Sequence, residues 1–171
     1  MTRMLGAAAS LTIALIIVAQ TPSSASLVDG HGSCTVTIPT RIVPPDAGFS
    51  AEGFNYGGRS LRAHLYWPRG RLVAGTLPDG RSMATINPDG SIYLKLGWWR
   101  GLSGTLAVRG KRLDVSAPSM RADVPEGYGP RGFQPSGLTF PAVGCWRVMG
   151  TVGHARLTFV VRISKVRPRA V

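Results

Sequence analysis

The stretch Gly144–Ile163, GCWRVMGTVGHARLTFVVRI, holds two runs of alternating apolar residues split by Gly153-His154. Alternation at a period of two marks a strand with one buried face. Gly-X between two such runs reads as a two-residue hairpin loop. The loop then fixes the register: Val152 opposes Ala155, Gly150 opposes Leu157, Val148 opposes Phe159 and Trp146 opposes Val161, with Ile163 continuing the row. That row is a nearly pure core face. The other face, Cys145, Arg147, Met149, Thr151, Arg156, Thr158, Val160 and Arg162, is mixed and reads as half-solvated. The same register separates Cys145 from His154. His154 fills the turn, and at ~3.4 Å per residue about 25 Å lies between the tip and the far end of the strand. The two are expected to be neither nucleophile and base nor ligands of one metal.

The pattern repeats upstream. Cys34–Ile38 alternates and predicts a first strand, ended by Pro39, with Cys34, Val36 and Ile38 facing inward. Residues 39–60, rich in Gly and Pro, read as irregular loop. Leu61, Ala63, Leu65 and Trp67 predict a buried face, with Arg62, His64 and Tyr66 outside. RLVAGTL, RSMATI and SIYLKLGWW are separated by Pro78-Asp79-Gly80 and Asn87-Pro88-Asp89-Gly90. In each of these turns Pro presets the backbone, Asp caps it and Gly takes a positive φ. In the last run Ile92, Leu94, Leu96 and Trp98 share one face. GTLAVRGKRLDVS predicts a hairpin turning at Gly110-Lys111, with Val108 opposite Leu113, Leu106 opposite Val115 and Arg109 opposite Arg112. Residues 117–137 read as a loop pinned by Tyr128 and Phe133, followed by a strand over 137–140. No segment shows a helical period. Eight or nine short strands joined by hairpins predict an all-β fold, an antiparallel β-sandwich of immunoglobulin-like type.

The ends of the chain read as an address and a tail. Arg3, the uncharged run Leu5–Ala19 and the small residues of QTPSSAS match a secretory signal peptide over 1–26, cut after Ala25 or Ser26. The apolar run is short of the ~20 residues of a membrane span, and Cys34 lies too far beyond it for lipidation. A flexible arm over 27–33, a single domain over 34–166 and a basic tail over 167–171 complete the expected organisation. In an exported chain two cysteines predict one disulfide, Cys34 with Cys145. One tension attends that pairing, because Cys34 shares a face with inward residues while Cys145 sits opposite Trp146. Either the register at Cys145 is not fixed, or the staple joins a terminal strand to the sheet rim.

The formal net charge is +12, with 20 Lys and Arg, 17 of them arginine, against 8 Asp and Glu. Such a balance suits nucleic acid, but an exported chain rarely meets it. The arginines are spread along the sequence without a stripe, so the expected reading is a solvated basic surface with weak attraction to an anionic membrane or wall. No nucleic-acid partner is expected, and the oligomeric state is not legible.

Chemistry finds little footing. His31, His64 and His154 have no neighbouring ligand set, so no metal is expected. Asp114 and Asp123 could be nominated as paired carboxylates, but nothing in the sequence brings them together. No GxSxG elbow and no phosphate-cradling glycine loop followed by a helix occurs. The expectation is no catalytic residue and no cofactor. Trp98-Trp99-Arg100 is the richest remaining feature, since one of two adjacent tryptophans on a strand must face away from the core. A candidate binding surface is therefore Trp99, Arg100, Tyr128, Arg131 and Phe133, unless the 117–137 loop covers the outer tryptophan.

Over residues 87–163 the series DGSIYLKLGWWR, GTLAVRGKRLD, GYGPRGFQPSGLTFPAVGCW and VMGTVGHARLTFVVRI resembles a family of uncharacterised exported bacterial proteins, with GFQ.SG..FP..GCW as the distinctive motif. The resemblance implies export and fold and brings no activity. More loosely, the last hairpin is similar to the closing strand pair of immunoglobulin-like sandwiches, a likeness of fold alone. The function expected is that of a secreted, non-catalytic domain that binds another protein or an envelope polymer. The alternatives are an inhibitor of an extracellular hydrolase acting through loop 117–137, and an enzyme, which would need a concave pocket lined by convergent titratable groups.

Overall fold

The computed structural model describes residues 34–40 and 54–166. The signal segment, the arm, residues 41–53 and the tail lie outside the described residues. Ten strands follow in order: β1 (Asn55–Gly57), β2 (Leu61–His64), β3 (Arg71–Ala74), β4 (Ala84–Ile86), β5 (Ile92–Arg100), β6 (Ala107–Arg112), β7 (Arg121–Asp123), β8 (Gly132–Phe140), β9 (Gly144–Val152) and β10 (Ala155–Lys165). One sheet has the order β1-β2-β5-β8-β7, with β4 also paired to β5, and the other has the order β3-β10-β9-β6. Their inner faces pack on one core to make an all-β sandwich. Every strand pair is antiparallel except β10 with β3, which is parallel.

The closing hairpin forms as its sequence dictates. Val152 pairs with Ala155, Gly150 with Leu157, Val148 with Phe159 and Trp146 with Val161. Gly153 carries the positive φ, 53°, that opens the turn, and His154 does not need one. Trp146, Val148, Val152, Phe159, Val161 and Ile163 are buried. Facing them from the other sheet are Ile92, Leu94, Leu96 and Trp98 of β5, also buried. Gly150 lets the sheets close: a Cβ there would sit 2.4 Å from the Trp98 ring. The turns before β4 and β5 hold as expected, with Gly80 at φ 80° and Gly90 at φ 81°.

Five expectations are corrected. Residues 34–39 form no strand, and Ile38 is 73% exposed instead of inward. The Thr37 N–H donates to Val160 O at 2.9 Å, the Val160 N–H donates to Thr37 Oγ1 at 2.9 Å, and the Thr40 N–H donates to Asn55 O at 2.7 Å. Within four residues the segment passes from the edge of one sheet to the edge of the other, so it cannot keep a ladder with either. Second, the region read as irregular up to residue 60 contains β1. Third, Arg62 and His64 do point away from the core, but they are buried at 1% and 6% exposure. His64 is enclosed by the rings of Phe54 and Tyr66 and bonded to Asn55 of the neighbouring strand.

The fourth correction concerns Gly110-Lys111, which is not a turn. β6 runs straight through it, pairing Gly110 with Val148 and Arg112 with Trp146. The glycine serves close approach: a Cβ there would lie 2.8 Å from the Met120 side chain. Arg109 therefore faces Met149, and the like-charge neighbours are Lys111 and Arg147. Fifth, much of the 117–137 loop is sheet. β7 lies within it and β8 starts at Gly132, ahead of the predicted 137. Pro135 is tolerated in β8 because β7 pairs only with Gly137, Leu138 and Thr139, leaving one edge free at 135.

Candidate binding surface

Strand alternation sorts the three residues Trp98-Trp99-Arg100. Trp98 is fully buried, and its indole N–H donates to Ser136 Oγ at 2.9 Å. Trp99 turns to the outer face and is half-buried, standing in register between Arg62 of β2 and Phe133 of β8. Phe133 is 46% exposed and Tyr128 43%. Their rings meet edge to face, with centroids 6.3 Å apart and planes at 72°. Arg131 is exposed, and its Nε donates to Ser103 Oγ at 2.8 Å. Of the five expected surface residues, Trp99, Phe133, Tyr128 and Arg131 thus lie on the outside of the sandwich.

Arg100 does not. It shares the inner side with Trp98 and is only 3% exposed. Its guanidinium donates to Gly104 O at 3.2 Å and to Gly129 O. Burial lowers its pKa. Two adjacent strand residues cannot share a face, so the alternation that placed Trp99 outside already placed Arg100 inside. Its role is to hold the loop from beneath. Gln134 does the same from β8, donating from Nε2 to Pro125 O at 2.9 Å. Together with Glu126, Tyr128, Leu106 and Val124 these two side chains line a cleft of about 510 Å³ at this end of the sandwich. This cleft is not legible in the sequence, because Gln134 and Arg100 meet only through the pairing of β5 with β8.

Most of the other titratable groups singled out earlier are engaged locally. Asp114 accepts from Arg112 Nε at 2.7 Å, and that bond holds its carboxyl below the usual range. Asp123, on β7 of the opposite sheet, is exposed. Asp79 is bonded to Arg81 and Asp89 to Ser91, and both pKa values are lowered by those bonds. His64 Nδ1 donates to Asn55 Oδ1 at 2.8 Å, and burial lowers its pKa. His154 is exposed at its turn. Cys145 is joined to Cys34 with a Cα–Cα separation of 5.5 Å. Among the described residues no group of three or more His, Cys, Asp or Glu comes together.

The GFQ.SG..FP..GCW motif spans β8, the turn and the start of β9, and most of its positions serve the frame. Gln134 ties the loop and Ser136 accepts from Trp98. Gly137 lies under the Tyr93 ring, where a Cβ would come within 2.9 Å. Phe140 packs edge to face on Trp146 at 5.4 Å, and the Trp146 indole donates to Ala142 O at 3.0 Å. Cys145 carries the staple. Phe133 is the member left on the surface. No protein-family model and no curated protein matches this chain.

Proposed function

We propose that this is an extracytoplasmic, non-catalytic binding domain that engages another protein or an envelope polymer through Tyr128, Phe133, Trp99 and Arg131. The observation that carries the reading is the contact between two exposed aromatic rings on a loop and strand pinned from below. Aromatic side chains supply large contact area at low entropic cost, the more so when already fixed. The disulfide fits an oxidising compartment. The test is co-sedimentation with isolated bacterial envelope, in which Tyr128→Ala with Phe133→Ala weakens binding at least tenfold while thermal unfolding stays within a few degrees. Unchanged binding by the double variant would sink the proposal.

One observation favours a second reading, inhibition of an extracellular hydrolase. Residues 126–131 are all exposed, yet the loop is fastened through Arg100 to Gly129, Gln134 to Pro125 and Arg131 to Ser103. An exposed, rigid loop is what a protease-binding segment requires. A panel of secreted proteases tests it: inhibition by the wild type that Phe133→Ala or Arg131→Ala abolishes supports this reading, and no inhibition of any member removes it.

A further inference from the structure

Five arginines and one lysine that lie far apart in the sequence share one sheet face. β3, β10, β9 and β6 form one sheet, and none of their residues is acidic. The outward positions of these strands carry Arg71, Arg109, Lys111, Arg147, Arg156 and Arg162, and every one is exposed. The reading that the arginines form no cluster is corrected at this one sheet, while Arg59, Arg69, Arg81, Arg121 and Arg131 are exposed elsewhere, as the expected dispersed basic surface implies. Pairing register brings the charges to one face, and two pairs stand directly opposite each other: Lys111 with Arg147, and Arg162 with Arg71. Like charges at directly opposed positions destabilise a sheet. The nearest acid that the structure pairs with this sheet, Asp114, is taken by Arg112 at 2.7 Å. A face that concentrates cations in opposed pairs, with no ion pair to an acid among the described residues, is matched by a partner that brings its own negative charge.

We infer that this outer face binds a linear, phosphate-bearing polyanion. Five of the six cations are arginine, whose planar fork takes phosphate in a bidentate grip that lysine cannot make. The residues between them are Ala107, Met149, Thr151, Thr158 and Val160, with no aromatic ring. Single-stranded nucleic acid is held by stacking its bases on aromatic side chains, so a polymer without bases fits better. A bilayer fits less well for a geometric reason. Cys145 shares this face and is bonded to Cys34, and the segment from Cys34 crosses to Val160, where Thr37 is hydrogen-bonded, so the face is interrupted for a flat surface. A thread-like chain passes around that segment. The inference rests on the sheet opposite to the Tyr128–Phe133 surface and stands apart from the function proposed above.

Long-chain inorganic polyphosphate is the probe. The disulfide-bonded protein is titrated at low and at moderate salt, and affinity falls steeply as salt rises because counterions are displaced. Lys111→Ser, Arg147→Ser and Arg162→Ser together weaken binding at least tenfold and flatten the salt dependence. Arg59→Ser, Lys95→Ser and Arg121→Ser remove the same charge from exposed positions off this face and change affinity less than twofold. Tyr128→Ala with Phe133→Ala leaves polyphosphate binding intact, which separates failure of this inference from failure of the proposed function. Equal weakening by the two triple variants reduces the effect to net charge and overturns the inference. So does tighter binding of single-stranded DNA or phosphatidylglycerol vesicles than of polyphosphate, and so does no binding by the wild type. Should thermal unfolding show the first triple variant misfolded, Arg109→Ser with Arg156→Ser carries the same comparison.

Discussion

Tyr56 stacks on Phe159 with ring centroids 4.5 Å apart and planes at 15°, so its ring works fully for the core. Its hydroxyl does not: it is buried and meets no hydrogen-bond partner among the described residues, and burial pushes its pKa up to about 12. A buried polar group that makes no bond costs about 1–3 kcal/mol. Tyr56→Phe keeps the stack and removes that cost, so chemical denaturation is expected to show a gain of about 1 kcal/mol. The sign with pH follows from the raised pKa. Unfolded tyrosine loses its proton near 10 and the folded one near 12, so its contribution is complete below pH 10 and is lost as pH rises toward 12. Tyr56→Phe should make the unfolding midpoint less sensitive to pH in that window, and an unchanged slope would count against the assignment. Trp98 shows the opposite case. Its N–H is met by Ser136, and nothing in either local sequence foretold the match, since the partners are 38 residues apart.

At the scale of elements, the β9–β10 hairpin was legible in full. A two-residue loop and a pleat of period two leave one register, and a slip of one residue would turn every apolar side chain outward. The Gly110-Lys111 hairpin was misread for an instructive reason. Glycine signals either a positive φ or a close approach, and only the position of Met120 shows which. Gly150 belongs to the second kind. A methyl group there would meet the Trp98 ring at 2.4 and 2.6 Å, within a layer where neither sheet can retreat. Gly150→Ala is therefore expected to cost about 3 kcal/mol, at the upper end of overpacking effects, read as a lowered urea midpoint. A loss below ~0.5 kcal/mol would show that the sheets are not packed as closely as these distances require. The binding surface was half legible. Alternation placed Trp99 outside, and the loop aromatics were noticed, but the cleft and the posts beneath the loop depend on β5 lying beside β8.

Across the whole molecule the Cys34–Cys145 bond spans a sequence separation of 111. Closing so long a loop in the unfolded chain stabilises by up to ~4.7 kcal/mol. The bond resolves the tension between the two faces. The register at Cys145 is fixed, opposite Arg162, and it is the first segment that is not a strand. That segment ties both sheet edges through Thr37 and Thr40, so the staple holds the joint between the sheets. Cys34→Ser with Cys145→Ser should lower stability by about 2–5 kcal/mol, with amides of Thr37 and Thr40 losing exchange protection before those of β9 and β10. Uniform loss of protection would argue that the segment does not act as a separate clasp.

By itself the sequence determined the class of fold, the closing register, the turns at Gly80, Gly90 and Gly153 and the cysteine pairing, because each follows from local alternation, glycine and proline geometry or a count of two. Only the tertiary structure decided which glycines bend the chain and which admit a neighbour. It also decided that Arg100 lies beneath the surface it was expected to join, and that arginines far apart in the chain share one sheet face. These depend on which strands lie side by side, and that choice is made by long-range packing of whole faces, which no local stretch of residues encodes.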